Sequence, residues 1–228
     1  AFDARVSWLA VSSGGNFGNL QALYRTTDGD ANWAITATNL PVSGLLGFHT
    51  RTTGWATDAH AGAAFATLGA TAPTAGALYV TSDGGQTWRY QQLPLLPGEA
   101  ADAHVQVLGP LSFSTPTDAI LPVLIHAGSQ SSESMLELYQ TRDGGRTWEM
   151  AQSVTLGTVQ TVTAADFLDG RYGWAVAGTT LVTTSDAGQR WTKLTPTGLT
   201  LDPDGYSLRL LDFISPDIGW ALVNPPGN

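Results

Sequence analysis

An all-β fold, built from repeated four-stranded antiparallel units, is predicted by three features of the sequence. One eight-residue phrase recurs four times, a second aromatic phrase alternates with it, and no stretch sustains a capped 3.6-residue apolar period. The first phrase runs TTDGDANW from Thr26 to Trp33, TSDGGQTW from Thr81 to Trp88, TRDGGRTW from Thr141 to Trp148 and TSDAGQRW from Thr184 to Trp191. The second is a phenylalanine, a turn-like stretch and then Gly-Trp-Ala. It runs from Phe48 to Trp55, Phe167 to Trp174 and Phe213 to Trp220, with Ile120 in place of tryptophan after Phe113 and a shorter spacing from Phe2 to Trp8.

Each unit reads as four strands in order. The first ends at the phenylalanine and the second begins at Gly-Trp-Ala. The third is a Leu-Tyr-x-Thr lead such as LYVT from Leu78 or LYQT from Leu138, and the fourth starts at the tryptophan of the Asp phrase. Four strands repeated every 40–50 residues or so form the blade of a β-propeller. The expected domain is a single propeller over residues 1–228, with units at 1–40, 41–106, 107–160, 161–206 and 207–228 and longer loops in the middle units. The last unit stops before any Asp phrase, so the chain is expected to be part of a longer propeller.

The Asp phrase reads as a fastener. Glycine bends the chain without a Cβ clash, and the aspartate accepts hydrogen bonds from N–H groups that the bend leaves unpaired. The structural set is Thr26, Asp28 and Trp33; Thr81, Asp83, Gly85 and Trp88; Thr141, Asp143, Gly145 and Trp148; and Thr184, Asp186, Gly188 and Trp191. Four separated carboxylates in one small fold do not build a catalytic site, and the repeated Phe and Trp read as packing between blades.

Bulk composition narrows the function. Of 228 residues 43% are hydrophobic and 13% charged, which describes a chain with a sizeable core. A net charge of −9 with a single lysine, Lys193, argues against a duplex nucleic-acid partner. There is no cysteine, so disulfides, thiolate catalysis and thiolate metal sites are excluded. The longest apolar run, ILPVLI from Ile120, is too short to span a bilayer as a helix. No signal peptide is expected in this stretch, and Ala1 reads as a processed or trimmed start. No cofactor or metal is expected: DPDG from Asp202 to Gly205 offers oxygen ligands but lacks the remaining carboxylates of a calcium loop.

With the Asp turns on one face, recognition is expected on the other. Long loops at 12–19, 57–76 and 127–135 and connections at 91–106 and 195–207 would gather there. Candidate residues for a polar rim are Asp58, His60, Arg89, Tyr90, His104, His126 and Tyr206. Arg5, Arg51 and Arg171 recur in the first turn of the blade, on the Asp-turn face, where local pairing with carboxylates or carbonyls is expected.

The combined Phe-x5-Gly-Trp-Ala and Leu-Tyr-x-Thr-x-Asp-Gly-Gly-x-Thr-Trp pattern resembles the Asp-box, or BNR, propellers, most of all the photosystem II assembly-factor type and its bacterial relatives. It also resembles the Asp-boxes of sialidases, sortilin and xyloglucan-degrading endoglucanases. The resemblance covers nearly the whole chain and implies that Asp28, Asp83, Asp143 and Asp186 are structural, opposite the ligand face. The structural character of all the repeated motifs, with enlarged loops on one face, leads to the expectation of a non-catalytic scaffold for a protein or glycan in an extracellular, periplasmic or other extracytoplasmic compartment. The alternative is a fragment of a carbohydrate-active enzyme. No arginine is followed by Ile-Pro, as sialidases require, and the carboxylates available for a glycosidase pair are Asp58, Asp102, Glu133 and Asp202.

Overall fold

The computed structural model describes residues 5–12, 20–29, 31–38, 40, 46–57, 78–91, 93–94, 104–107, 111–126, 134–154, 162–198 and 207–224. Every regular element among them is a strand, and every pairing is antiparallel. The chain divides into two compact units, Ala1–Leu93 and Pro94–Asn228.

The first unit contains two sheets. One is β1 (Ser7–Ser12), β2 (Leu20–Thr26) and β3 (Ala34–Thr38), in sequence order. The other is a four-stranded meander of β4 (Leu46–Phe48), β5 (Gly54–Thr57), β6 (Leu78–Thr81) and β7 (Arg89–Gln91). Between them lies a core of Leu23, Leu40, Ala56 and Tyr79, joined by Trp8, Phe48, Trp88 and Tyr90. Its aromatic spine follows the repeat. Phe48 stacks flat on Trp8 of the preceding sheet, with centroids 3.9 Å apart and planes 6° from parallel, while Trp88 meets Phe48 edge-on at 6.0 Å.

The second unit holds three sheets. The first is β8 (His104–Val107), β9 (Ser112–Phe113), β10 (Ala119–His126), β11 (Ser134–Thr141) and β12 (Glu149–Val154), with β8 and β9 both pairing with β10. The next is the meander of β13 (Val162–Phe167), β14 (Gly173–Ala177), β15 (Thr180–Thr184) and β16 (Thr192–Leu194). The last is the hairpin of β17 (Ser207–Ser215) and β18 (Ile218–Asn224). Because β8 pairs with β10, residues 104–106 begin the third repeat. The boundary expected at 106/107 therefore falls earlier, and the connection expected over 91–106 is shorter. That pairing depends on backbone hydrogen bonds rather than on any repeated side chain.

Cores lie on both faces of the β13–β16 sheet. Ile120, Leu124, Leu136 and Leu138 pack with Val162, Ala165, Phe167 and Ala175 on one side. Ala164, Trp174, Val176 and Leu181 pack with Leu208 and Leu211 on the other. Here again a phenylalanine covers the tryptophan of the sheet before it: Phe213 lies 3.7 Å from Trp174 and 3° from parallel. Where the tryptophan is missing, Ile120 shares a cluster with Phe167.

The glycine of Gly-Trp-Ala has a steric cause. Gly54, Gly173 and Gly219 are register partners of Phe48, Phe167 and Phe213. A Cβ at Gly173 would lie 2.4 Å from the Phe167 ring, and one at Gly54 or Gly219 would lie 2.5 Å from its phenylalanine. In the third repeat Ala119 faces Phe113 instead, so the unit that lacks the tryptophan lacks this glycine too.

Candidate functional site

Each Asp turn joins a third strand to a fourth and encloses one carboxylate. In the second copy the Thr81 hydroxyl donates to Asp83 Oδ1 at 2.8 Å, and the Gly85 N–H donates to the same hydroxyl oxygen at 3.0 Å. The Thr87 N–H then donates to Asp83 Oδ1 at 3.0 Å, and the Thr87 hydroxyl donates to Oδ2. Thr141, Asp143, Gly145 and Thr147 repeat the arrangement, with Trp148 buried beside it. Thr184, Asp186 and Gly188 do so as well, with the Arg190 N–H donating to Asp186 at 2.9 Å. In the first copy Asn32 donates to Asp28 from both its backbone (3.0 Å) and its side chain (2.7 Å), and Thr26 donates at 2.8 Å.

These donors favour the ionised form. The Asn32 side chain, then its backbone, holds the Asp28 carboxyl down at about 2. Partial burial pushes Asp143 up, but the Thr147 and Thr141 donors outweigh it and hold the group at about 2. Asp83 is lowered by the same balance, and Asp186 chiefly by the Arg190 N–H.

The sequence did not reveal what each turn holds. The residue after the aspartate has positive φ and donates its N–H to the carbonyl two residues ahead of β1, β5, β10 or β14 in the same repeat. Gly29 donates to Arg5 O at 3.0 Å, Gly84 to Thr52 O at 2.7 Å, Gly144 to Thr117 O at 2.9 Å and Ala187 to Arg171 O at 3.0 Å. Arg5 and Arg171 thus serve these bonds through their carbonyls, and the Arg171 guanidinium lies over the Tyr172 ring at 5.8 Å. The second turn also reaches the preceding sheet: Trp8 Nε1 donates to Gly84 O at 3.1 Å, and Arg25 lies over the Trp8 ring at 5.4 Å. A Cβ at Gly85 would sit 2.5 Å from Leu23 Cδ2. Trp33 differs from the buried Trp148 in being 40% exposed. Trp88 and Trp191 each pack edge-on against the phenylalanine of their own sheet, whereas Phe2 lies outside the described residues.

The candidate rim is described in part. Asp58, His60, Tyr206, Asp102, Glu133 and the DPDG stretch from Asp202 lie outside the described residues. His104 opens β8 and His126 closes β10, and the two are directly opposed in the antiparallel register. Ala119, at the other end of β10, pairs with Thr141 of the Asp turn, so the histidine pair marks the end of the sheet away from the turn. Arg89 is exposed, but it pairs with Val80 next to the second Asp turn. Tyr90 is half-buried: its ring packs against the core of the first unit, edge-on to Tyr79 at 5.7 Å, and burial followed by the Tyr79 hydroxyl pushes its pKa up to about 12.

Two buried carboxylates were not singled out by pattern. Glu137 is fully buried on the face of β11 that also carries Tyr139, whose hydroxyl donates to Glu137 Oε2 at 3.4 Å and to Pro94 O at 2.6 Å. Asp166 is buried between sheets, and its Oδ2 accepts the Phe213 N–H at 2.6 Å. Burial raises the Asp166 pKa to about 6, against the pull of the Phe213 N–H and with a further push from Asp212. The signal was available in the pairs Asp166-Phe167 and Asp212-Phe213, which place an acid just before the repeat phenylalanine. Among the described residues no cluster of three or more His, Cys, Asp or Glu forms a metal site, and no helix is long and apolar enough to cross a membrane.

No family model matches the chain, and no curated protein matches it. Among solved structures it is similar to YCF48 bound to D1 peptide, at 15% identity and a TM-score of 0.42, over 97% of this chain and 77% of that one. It is similar to YCF48 from Cyanidioschyzon merolae at 16% identity and a TM-score of 0.45, over 99% and 82%. It also resembles the GH74 enzyme of Niastella koreensis at 14% identity and a TM-score of 0.42, over 85% of this chain and 29% of the enzyme.

Proposed function

We propose that this chain is a non-catalytic propeller that serves as a binding or assembly scaffold for a protein or glycan outside the cytoplasm. One observation carries the reading: the four turn carboxylates are engaged by donors within their own turns, which makes them fasteners. Recognition is assigned to the opposite ends of the sheets, where His104 and His126 face each other in register and where Asp58, His60 and Tyr206 belong by sequence. Neutral histidine offers both a donor and an acceptor, which suits peptide carbonyls and sugar hydroxyls equally.

The test is a peptide array and a glycan array probed with the chain, with hydrolysis of bound glycans assayed in parallel. Binding weakened by His104→Ala and His126→Ala but kept in Asp83→Asn, with no turnover, supports the scaffold. Glycan turnover abolished by Asp58→Asn or Asp102→Asn would identify a glycosidase instead.

A further inference from the structure

The residue just before each Asp phrase differs from copy to copy: Arg25, Val80, Gln140 and Thr183. In the third repeat an acid stands across from that position. Gln140 faces Glu149 in register and donates to its Oε1 at 2.7 Å, and Arg142 Nε lies 3.6 Å from the same oxygen. In the first repeat the donor is a guanidinium, and the residue it faces in register is Ala34. Among the described residues Arg25 makes no ion pair, and its buried Nε has no hydrogen-bond partner. A buried donor without an acceptor is costly, so the group calls for a partner that the chain does not supply.

That guanidinium borders a groove of about 410 Å³. Its walls are the first Asp turn, the start of β3 and Gln86 of the second Asp turn, all within the first unit. Arg25 is held in place there, over the Trp8 ring at 5.4 Å and with Nη1 beside Gly84 of the second turn. Asp28 also lines the groove, but its oxygens accept from Thr26 and Asn32, so its carboxylate serves its own turn. The other walls are the Trp33 ring and the amides and hydroxyls of Thr27, Asn32, Thr36 and Gln86. A guanidinium is matched to a carboxylate, and amides and hydroxyls exchange hydrogen bonds with hydroxyl groups. The aromatic ring offers an apolar surface to the C–H face of a sugar, and the volume is that of a small-molecule site.

We propose that this groove binds a uronate, a sugar ring carrying a carboxylate, within an acidic saccharide. The ligand carboxylate pairs with Arg25 and takes the part that Glu149 plays for Gln140 and Arg142 in the third repeat. The sugar ring lies against Trp33, and its hydroxyls bond to Asn32 and Gln86. The groove lies at the Asp-turn end of the first unit, apart from the recognition rim, and does not rest on the scaffold reading.

Titration calorimetry of the whole chain with tri-galacturonate tests it, with the methyl ester of the same trisaccharide and tri-glutamate as competitors for the assignment. Saturable binding of tri-galacturonate is expected, weakening as salt rises. Arg25→Gln is expected to weaken it about tenfold or more, as for a lost charge-assisted pair. Ala34→Glu leaves Arg25 in place and supplies the acid found at the matching position of the third repeat. It is expected to weaken binding at least as much by occupying the guanidinium from within the chain. Ala34 is exposed, and circular dichroism of both variants checks that the strands remain. A wild-type chain that does not bind tri-galacturonate, or binding that survives Ala34→Glu, overturns the proposal. Equal binding of the methyl ester overturns the carboxylate pairing, and equal or tighter binding of tri-glutamate overturns the sugar assignment in favour of an acidic peptide.

Discussion

Aspartates in this chain titrate in opposite directions according to what surrounds them. Asp28 and Asp143 sit in turns rich in donors and are held near 2, below the ordinary 3.8, so their ionised form is tied to the folded state. Their contribution to stability is present above pH 3.8 and is lost as pH falls from 3.8 through 2. Asp166 is the reverse, because burial raises it to about 6. Its contribution is fully present below 3.8 and is lost as pH rises from 3.8 through about 6. Asp166→Asn keeps a carbonyl acceptor for Phe213 and removes the buried charge. Urea midpoints measured across this window are expected to lose that declining component, leaving the variant at least as stable as wild type at pH 7. Asp166→Ala strands the Phe213 N–H and is expected to cost about 1–3 kcal/mol. Asp143→Ala, with its donors partly exposed to water, is expected to cost about 1–2 kcal/mol at neutral pH in the same assay.

At the scale of the element, the Asp turn acts as a clamp between the two turns at one end of a repeat. Its key donor needs positive φ, and three copies supply glycine there while the fourth has Ala187 at φ 63°. A residue with a Cβ is strained in that region, so Ala187→Gly is expected to raise stability by about 0.5 kcal/mol after the added unfolded-state entropy is offset. Thermal unfolding of the chain reads this directly. Gly85→Ala is expected to do the opposite and cost about 2 kcal/mol or more. It combines φ of 94° with a Cβ only 2.5 Å from Leu23 Cδ2.

For the whole molecule, net charge restricts the partners. The chain carries a net charge of −9 with a single lysine. The same charge predicts no binding to duplex DNA at physiological salt, checked by fluorescence anisotropy of a labelled duplex. The two compact units, Ala1–Leu93 and Pro94–Asn228, each carry their own sheet-on-sheet core.

Strand order and the four-strand unit are legible in the sequence, because antiparallel meanders depend on local signals: turn glycines, Asp and Thr at fixed offsets, and alternating or β-branched runs. The rim was less readable. The position of Tyr90 in the sequence does not show that its ring is half-buried against the core, because burial depends on which face of a strand meets another sheet. Nor does local sequence show that Asp166 receives the N–H of Phe213, that Ala187 reaches Arg171 O, or that His104 opposes His126. Spacing along the chain is enough to specify the all-β class, the repeat and the residues of the Asp turns. Which carboxylate is buried, and which aromatic is covered, follows from sheets packing on one another. Both outcomes depend on contacts between residues far apart in sequence, where packing and desolvation, not turn chemistry, set the energy.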